Sequence, residues 1–270
     1  QLCKQRRQPA RQGFDQASAL GNAQKTQPEG EGAKQQQHHL DRELGHGKQG
    51  LDHGGKDLCV AASEPLHQRA YNLALLVKGI AFQFNVIEYG KSCVGRSVAE
   101  LAHILTTTYP QLGSTDDFIR DRERIYEALI RDPDNLQPMP GLLQLLSATA
   151  KLGLKLGVAS SSSRAQVQTI LTGMVDNDGD PLATHFATIV TGSDVQHKKP
   201  APDIYVKACQ QLGLAPEQCV AVEDSKTGIE SARAAGIFTI AIPNRFTAHQ
   251  DLSSANLVLN RLDEVLTMLG

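Results

Sequence analysis

Glu223 and Asp224 stand side by side where a short apolar run, Val220-Ala221-Val222, gives way to Ser225-Lys226-Thr227-Gly228 and a small-residue-rich stretch ending at Ala234-Ala235-Gly236. An apolar strand that delivers two adjacent carboxylates into a turn can present a hard divalent cation. Mg²⁺ is held by one or two carboxylates, with water and phosphate oxygens completing its shell. Upstream, Lys198-Lys199-Pro200-Ala201-Pro202-Asp203 places an ammonium at the mouth of another helix, and Ser160 follows Val158-Ala159. A hydroxyl beside backbone N–H groups at a helix start binds a phosphoryl oxygen, and a lysine offsets the charge of a phosphoryl group in transfer. Together these types could carry out phosphoryl transfer.

Each also has a plainer reading. Ser160 could simply cap a helix, with Ser163 and Gln166 forming a capping box of their own. Lys199 could be a solvated loop residue. Asp224 or Ser225 could equally be the N-cap of the helix that follows. What favours the site is order: hydroxyl, lysine and acidic pair each fall at the same edge of one sheet.

That sheet follows from the pattern that must position them. Apolar spacing predicts helices over 66–80, 97–109 and 114–131, with Ser114 and Asp117 placed as a capping box and no strand between them. From residue 141 the pattern alternates. Helix 141–152 leads to strand 155–159, helix 164–174 to strand 187–190, helix 203–212 to strand 219–222 and helix 227–235 to strand 238–242. Residues 257–259 then precede a final helix. Alternation of this kind makes a Rossmann-like α/β fold, a parallel sheet covered on both faces. Ligands of such sheets sit beyond the carboxyl ends of the strands, here at 160–163, 191–193, 223–224 and 243–244.

Composition bounds the rest. At 270 residues and 40% hydrophobic, the chain holds one sizeable domain and a smaller insert. A net charge of −2 without a basic stripe argues against nucleic acid and anionic membrane surfaces as partners. No apolar run approaches the roughly 20 residues that span a bilayer. The five cysteines, scattered and without close pairs, read as free thiols in a reducing cytoplasm. Residues 1–55 are crowded with Gln, Gly, Lys, Arg and His, hold only Phe14 as an aromatic and contain no Val or Ile. Such a low-complexity tail is expected to be disordered. The chain opens on Gln1 rather than Met, as a fragment, a processed product or a mis-started reading frame would.

Ala159-Ser160-Ser161-Ser162, Lys199-Pro200-Ala201-Pro202-Asp203 and Val222-Glu223-Asp224-Ser225 with Gly228 resemble the motifs of the haloacid dehalogenase superfamily, closest to its β-phosphoglucomutase-like phosphatases and mutases. Ser63-Glu64-Pro65-Leu66-His67 and Gly95-Arg96-Ser97 resemble the start and middle of that branch's helical cap. The resemblance implies a cap over 64–136 and a core from 56–63 and 137–270. It implies that Ser160 binds the phosphoryl group with Ser161 beside it, that Lys199 offsets its charge, and that Glu223 and Asp224 hold Mg²⁺. His67 and Arg96 are its candidates for contact with a small phosphorylated substrate such as a sugar phosphate; a partly buried histidine and a solvated arginine are the plainer readings. Lys91 and Tyr71 are weaker candidates. Val98, near where the mutases carry an arginine, points to a phosphatase. A monomer is the family default.

One part departs from the pattern. The superfamily attacks phosphorus with the first aspartate of an Asp-x-Asp-Gly run at the end of a central first strand, and the second protonates the leaving group. Counting back from Ser63 places Gly55 at the nucleophile and Asp57 at the acid/base position, and glycine cannot attack. Residues 45–54 hold only Leu51 as a clear apolar residue, so the preceding strand is absent or replaced as well. Leu58-Cys59-Val60-Ala61-Ala62 could take that strand's place or form the flap that normally follows it. Asp176-Asn177-Asp178-Gly179-Asp180 spells the motif but follows a helix, and reads as a surface turn. Three readings stay open: a Mg²⁺-dependent phosphatase or phosphomutase whose nucleophile is missing here, a non-catalytic phosphate-binding or Mg²⁺-binding relative, and a damaged gene product.

Overall fold

The computed structural model describes residues 63–268. The tail expected over 1–55, Gly55, Asp57 and residues 58–62 lie outside the described residues.

Four helices come first: α1 (Glu64–Val77), α2 (Val86–Ser92), α3 (Val98–Thr108) and α4 (Thr115–Arg131). Asn85, Ser97 and Ser114 open the last three, each side chain accepting the backbone N–H three residues on, which satisfies a donor the helix cannot pair internally. The helices pack around Tyr71, Tyr89, Leu105 and Phe118. Helix α2 went unanticipated because seven residues are too few to display a helical period. Its signal was local, the capping box of Asn85 with Glu88.

The alternating part follows with α5 (Leu142–Lys151), β1 (Gly157–Ser160), α6 (Arg164–Gly173), β2 (Thr188–Thr191), α7 (Asp203–Leu212), β3 (Val220–Glu223), α8 (Lys226–Ala234), β4 (Phe238–Ala241) and β5 (Leu257–Val258). Among the described residues these strands pair in parallel. β1 runs beside β2 with Ser160 opposite Thr191, and β3 beside β4 with Glu223 opposite Ala241. Strands β1, β2 and β3 begin one or two residues later than the apolar runs suggested, so that Ser160 and Glu223 are the last residues of their strands. The final helix is not α-helical. Leu262–Met268 winds as 3₁₀, with Leu262 and Val265 on one side, three residues apart, buried in the cluster that holds Leu142 and Leu146. Among the described residues no helix is long and apolar enough to cross a membrane.

Asp194 ties the end of β2 to the start of α6. Its carboxylate accepts from Thr191 N at 2.8 Å, Thr191 Oγ1 at 2.7 Å and Arg164 Nη2 at 2.5 Å. The Arg164 hydrogen bond, followed by those from Thr191, lowers the carboxyl from 3.8 to about 2. A depressed acid stabilises the fold above its unfolded value and loses that contribution as pH falls through its folded one. Asp194→Asn is therefore expected to cost roughly 1–2 kcal/mol at neutral pH, discounted because Arg164 is partly exposed. In urea titrations the gap from the parent chain should narrow between about pH 4 and pH 2, and a gap independent of pH over that window would refute the assignment.

Candidate functional site

The centre of the strand-end cluster is Lys199. Its ammonium donates to the carbonyl of Ala159 at 2.9 Å and to Glu223 Oε1 at 2.6 Å, and lies 5.1 Å from the centre of the Tyr205 ring. It therefore reaches from the backbone of β1 to the side chain that ends β3. Both side chains of this ion pair are fully shielded from solvent, at 0% exposure. Tyr205 of α7 donates its hydroxyl to the same Glu223 oxygen. The other oxygen, Oε2, is buried without a hydrogen-bond partner and lies against Gly228 of α8. A Cβ on that glycine would sit 1.9 Å from it.

Asp224 projects from the turn after β3. Asn244, in the loop after β4, donates to Asp224 Oδ2 at 2.7 Å and accepts from the Phe246 and Thr247 amides. One amide side chain thus orients the loop and the carboxylate together. The N-cap ambiguity resolves locally: Ser225 caps α8, accepting from Gly228 N at 3.2 Å. That duty is lifted from Asp224.

Ser160 is buried, and its Oγ accepts from Ser162 N at 3.1 Å. Ser161 Oγ is buried without a hydrogen-bond partner. Ser163 caps α6 in a full capping box with Gln166, as its spacing suggested. The loop after β2 closes on this turn, with Gly192 N donating to Ser162 O at 3.1 Å. Gly192 is obligatory there, since a Cβ would fall 2.2 Å from the Ser161 carbonyl oxygen.

Ser160, Ser161, Lys199, Glu223 and Asp224 are thus brought to one edge. The other sequence-predicted residues lie elsewhere. Buried His67 stacks on Tyr126, ring centres 4.0 Å apart and 8° from parallel, and its Nδ1 meets Arg122 Nη2. Arg96 pairs with Glu100 one turn on. Tyr71 belongs to the helical core. The 176–180 run is a turn: Asp176 Oδ1 accepts the amides of Asp178 and Asp180, and Asp176 Oδ2 meets His185 Nε2 at 2.8 Å.

Arg122 is a residue the sequence reading missed. Its guanidinium is buried, lies 4.6 Å from the Tyr71 ring centre and 5.0 Å from that of Tyr126, and donates to Glu123 Oε1 at 2.5 Å. Glu123 Oε2 in turn accepts from Gln166 Nε2 at 2.9 Å. A polar chain therefore runs from His67 through α4 to the helix that follows Ser160. The signal was present: Arg122 sits on the face of α4 marked by Phe118, Tyr126 and Ile130, where an apolar residue is the norm. Tyr205 was likewise missed, since neither spacing nor residue type singles it out, whereas Asn244 falls at 243–244, one of the strand ends the alternation marked.

Among the described residues no group of three or more His, Cys, Asp or Glu could hold a metal on its own. The pair still fits Mg²⁺, which takes few protein ligands: Glu223 offers an unpartnered buried oxygen, and Asp224 is held in position by Asn244.

Parallel strands alternating with helices, with hydroxyl, ammonium and carboxylates gathered past the strand ends, define a Rossmann-like α/β protein with a polar strand-end edge. The chain belongs to the haloacid dehalogenase-like hydrolases, whose profile matches residues 71–242. It is 29% identical over 208 residues to the protein CbbY of Rhodobacter capsulatus, covering 74% of this chain and 88% of that one. It superposes on a point mutant of CbbY from Rhodobacter sphaeroides, crystallised in complex with xylulose-(1,5)bisphosphate, with a TM-score of 0.63 at 27% identity, covering 76% of this chain and 91% of that one. A putative β-phosphoglucomutase from Thermotoga maritima shares the fold, with a TM-score of 0.62 at 23% identity, covering 78% of this chain and 93% of that one.

Proposed function

We propose that the strand-end cluster binds the phosphoryl group of a small phosphorylated metabolite of the sugar-phosphate class together with Mg²⁺, in a site built for phosphate-ester hydrolysis rather than mutase transfer. The observation that carries this is Lys199, a fully buried ammonium lying between the Ser160 turn and the carboxylates of β3. An ammonium so placed serves an anion at the strand ends. The CbbY complex with a sugar bisphosphate supports the substrate class.

In this reading Ser160 and Ser161 donate to a phosphoryl oxygen, and Lys199 offsets its charge. Glu223 and Asp224 hold Mg²⁺, which supplies further charge neutralisation when bound. His67 and Arg96 are the candidates for substrate contact from the helical layer. Asp57 is the acid/base candidate, and the attacking position falls on Gly55. That glycine favours a second reading for the chain as written, binding without turnover.

The test is calorimetric titration with a sugar bisphosphate, with and without Mg²⁺, alongside an assay of phosphate release. Binding should require Mg²⁺ and weaken at least about tenfold, about 1.4 kcal/mol, in Asp224→Asn. Phosphate release should stay at background in the parent and rise in Gly55→Asp. Binding indifferent to Mg²⁺ and to Asp224→Asn would overturn the site, as would release by the parent that survives Asp224→Asn.

A further inference from the structure

The cysteines are scattered along the chain, and the fold brings two of them into contact. Cys209 lies in the last turn of α7, Cys219 directly precedes β3, and their sulfurs stand 3.6 Å apart. Both pack in the apolar layer that holds Tyr205, Ala208 and Ala221. The Cys209 thiol donates to the Cys219 sulfur, and the Cys219 thiol donates to the Ala215 carbonyl at 3.5 Å. The connection between them is pinned at each step. Leu214 N donates to Cys209 O at 3.0 Å just past the left-handed Gly213, Ala215 N to Gln218 Oε1 at 2.9 Å, and Cys219 N to Pro216 O at 3.0 Å. Neither cysteine can drift from the other without breaking this loop.

We infer that Cys209 and Cys219 are a modification site, the two halves of a reversible intramolecular disulfide that clasps the end of α7 to the start of β3. A disulfide brings its sulfurs to about 2 Å, and rotation about the two Cα–Cβ bonds closes a gap of this size. The roles divide by burial. Cys209 is only 4% exposed, whereas Cys219 is partly exposed, so a dissolved oxidant meets Cys219 first. Burial, followed by the hydrogen bond to Cys219, raises the Cys209 thiol above its usual range, so Cys209 keeps its proton and acts as the second thiol.

With a small-molecule disulfide such as glutathione disulfide as the oxidant, the step balances as thiol–disulfide exchange. The Cys219 thiolate attacks one sulfur of the reagent, the reagent's S–S bond breaks, and the first glutathione leaves with the proton that Cys219 gave up. Cys209 then attacks the Cys219 sulfur of the mixed disulfide, and its proton goes to the second departing glutathione. Two protein thiols become one disulfide as one reagent disulfide becomes two thiols, so two electrons pass to the reagent. The clasp joins the two elements that bring Tyr205 to Glu223, at the end of β3 away from the polar edge. It rests on neither the metal reading nor the substrate reading.

Lys207 and Lys226 are the flanking tryptic sites, so both cysteines fall in one peptide, 208–226. The full chain is equilibrated in glutathione redox buffers, quenched with an alkylating agent and digested, and its peptides are weighed by mass spectrometry. The linked peptide is two hydrogens lighter than the reduced one and carries no alkyl group. Fold and bond favour each other by the same factor. The equilibrium constant for closing the pair should therefore be at least about tenfold larger in the native chain than in concentrated urea, a difference of about 1.4 kcal/mol. Oxidation should also raise the urea midpoint of the parent and leave that of Cys219→Ser where it was. Glutathione held on Cys219 beside a free Cys209, a link from either cysteine to a different one, or equal closing constants in native and unfolded chains would overturn the inference. So would a parent midpoint unmoved by oxidation.

Discussion

Lys199→Met is expected to destabilise the chain by about 3–5 kcal/mol, the cost typical of removing one member of a buried ion pair. The ammonium and the Glu223 carboxylate are shielded from water completely, so no solvent stands ready to replace the lost charge. The carboxylate would keep the Tyr205 hydroxyl on Oε1, and Oε2 already lacks a partner. The Ala159 carbonyl would lose its donor as well. Methionine fills nearly the same volume, so the loss reports charge rather than packing. The double variant Lys199→Met with Glu223→Gln should recover most of it, because the destabilisation comes from an uncompensated charge more than from a missing attraction. Denaturant titration of the four chains of this cycle measures the coupling. A single-variant loss under about 1 kcal/mol, or a double variant no better than the single, would show that the pair is not buried as described. Binding of a sugar phosphate should be lost in both variants.

Gly228→Ala carries the second large effect, and two forces oppose each other there. Alanine is favoured over glycine in a helix by about 1 kcal/mol. Yet its Cβ would sit 1.9 Å from Glu223 Oε2 and 2.2 Å from Cδ. The carboxylate cannot swing aside, since Lys199 and Tyr205 pin its other oxygen. Nor can α8 recoil freely, because Ile229 and Ala232 are fully buried behind it and Ser225 caps its first turn. Sterics should win by about 3 kcal/mol, at the upper end of the usual cost of overpacking. Gly173→Ala in α6 is the control. Its Cβ would meet only the tip of Leu136, Cδ1 at 2.6 Å, and a flexible side-chain end can move, so the loss should stay below about 1 kcal/mol. If both variants unfold at the same denaturant concentration, Glu223 does not occupy the hollow that Gly228 leaves.

The elements were readable where local signals agreed. Helix α7 matches its expected span of 203–212 because Pro202 ends the loop before it and Gly213 takes the left-handed conformation just past it. The alternation of strands and helices, and with it the edge where the polar residues gather, follows from side-chain period alone. Strand ends were off by a residue or two because apolar runs record burial, whereas pairing sets the ladder. Leu156 is half-buried and lies outside β1, while polar Ser160 and Glu223 lie inside their strands.

Relations between distant residues were not readable. Glu223 looked like one of two metal ligands, and the fold made it also the partner of Lys199, 24 residues away. Asp224, freed of helix capping by Ser225, is met instead by Asn244, which reaches it from another strand's loop. Arg122 drew no notice because a single charge on an apolar face gives no sign of the aromatic rings that enclose it.

The order of side chains alone determined that this protein is an alternating α/β chain with its polar chemistry at strand ends, since periodicity, caps and turn residues act over only a few positions. Which of those polar groups touch, and that Glu223 keeps one oxygen on Lys199 and Tyr205 and the other against Gly228, were decided by the packed structure. Charge pairing and strand pairing depend on distances between segments that meet only when the core forms.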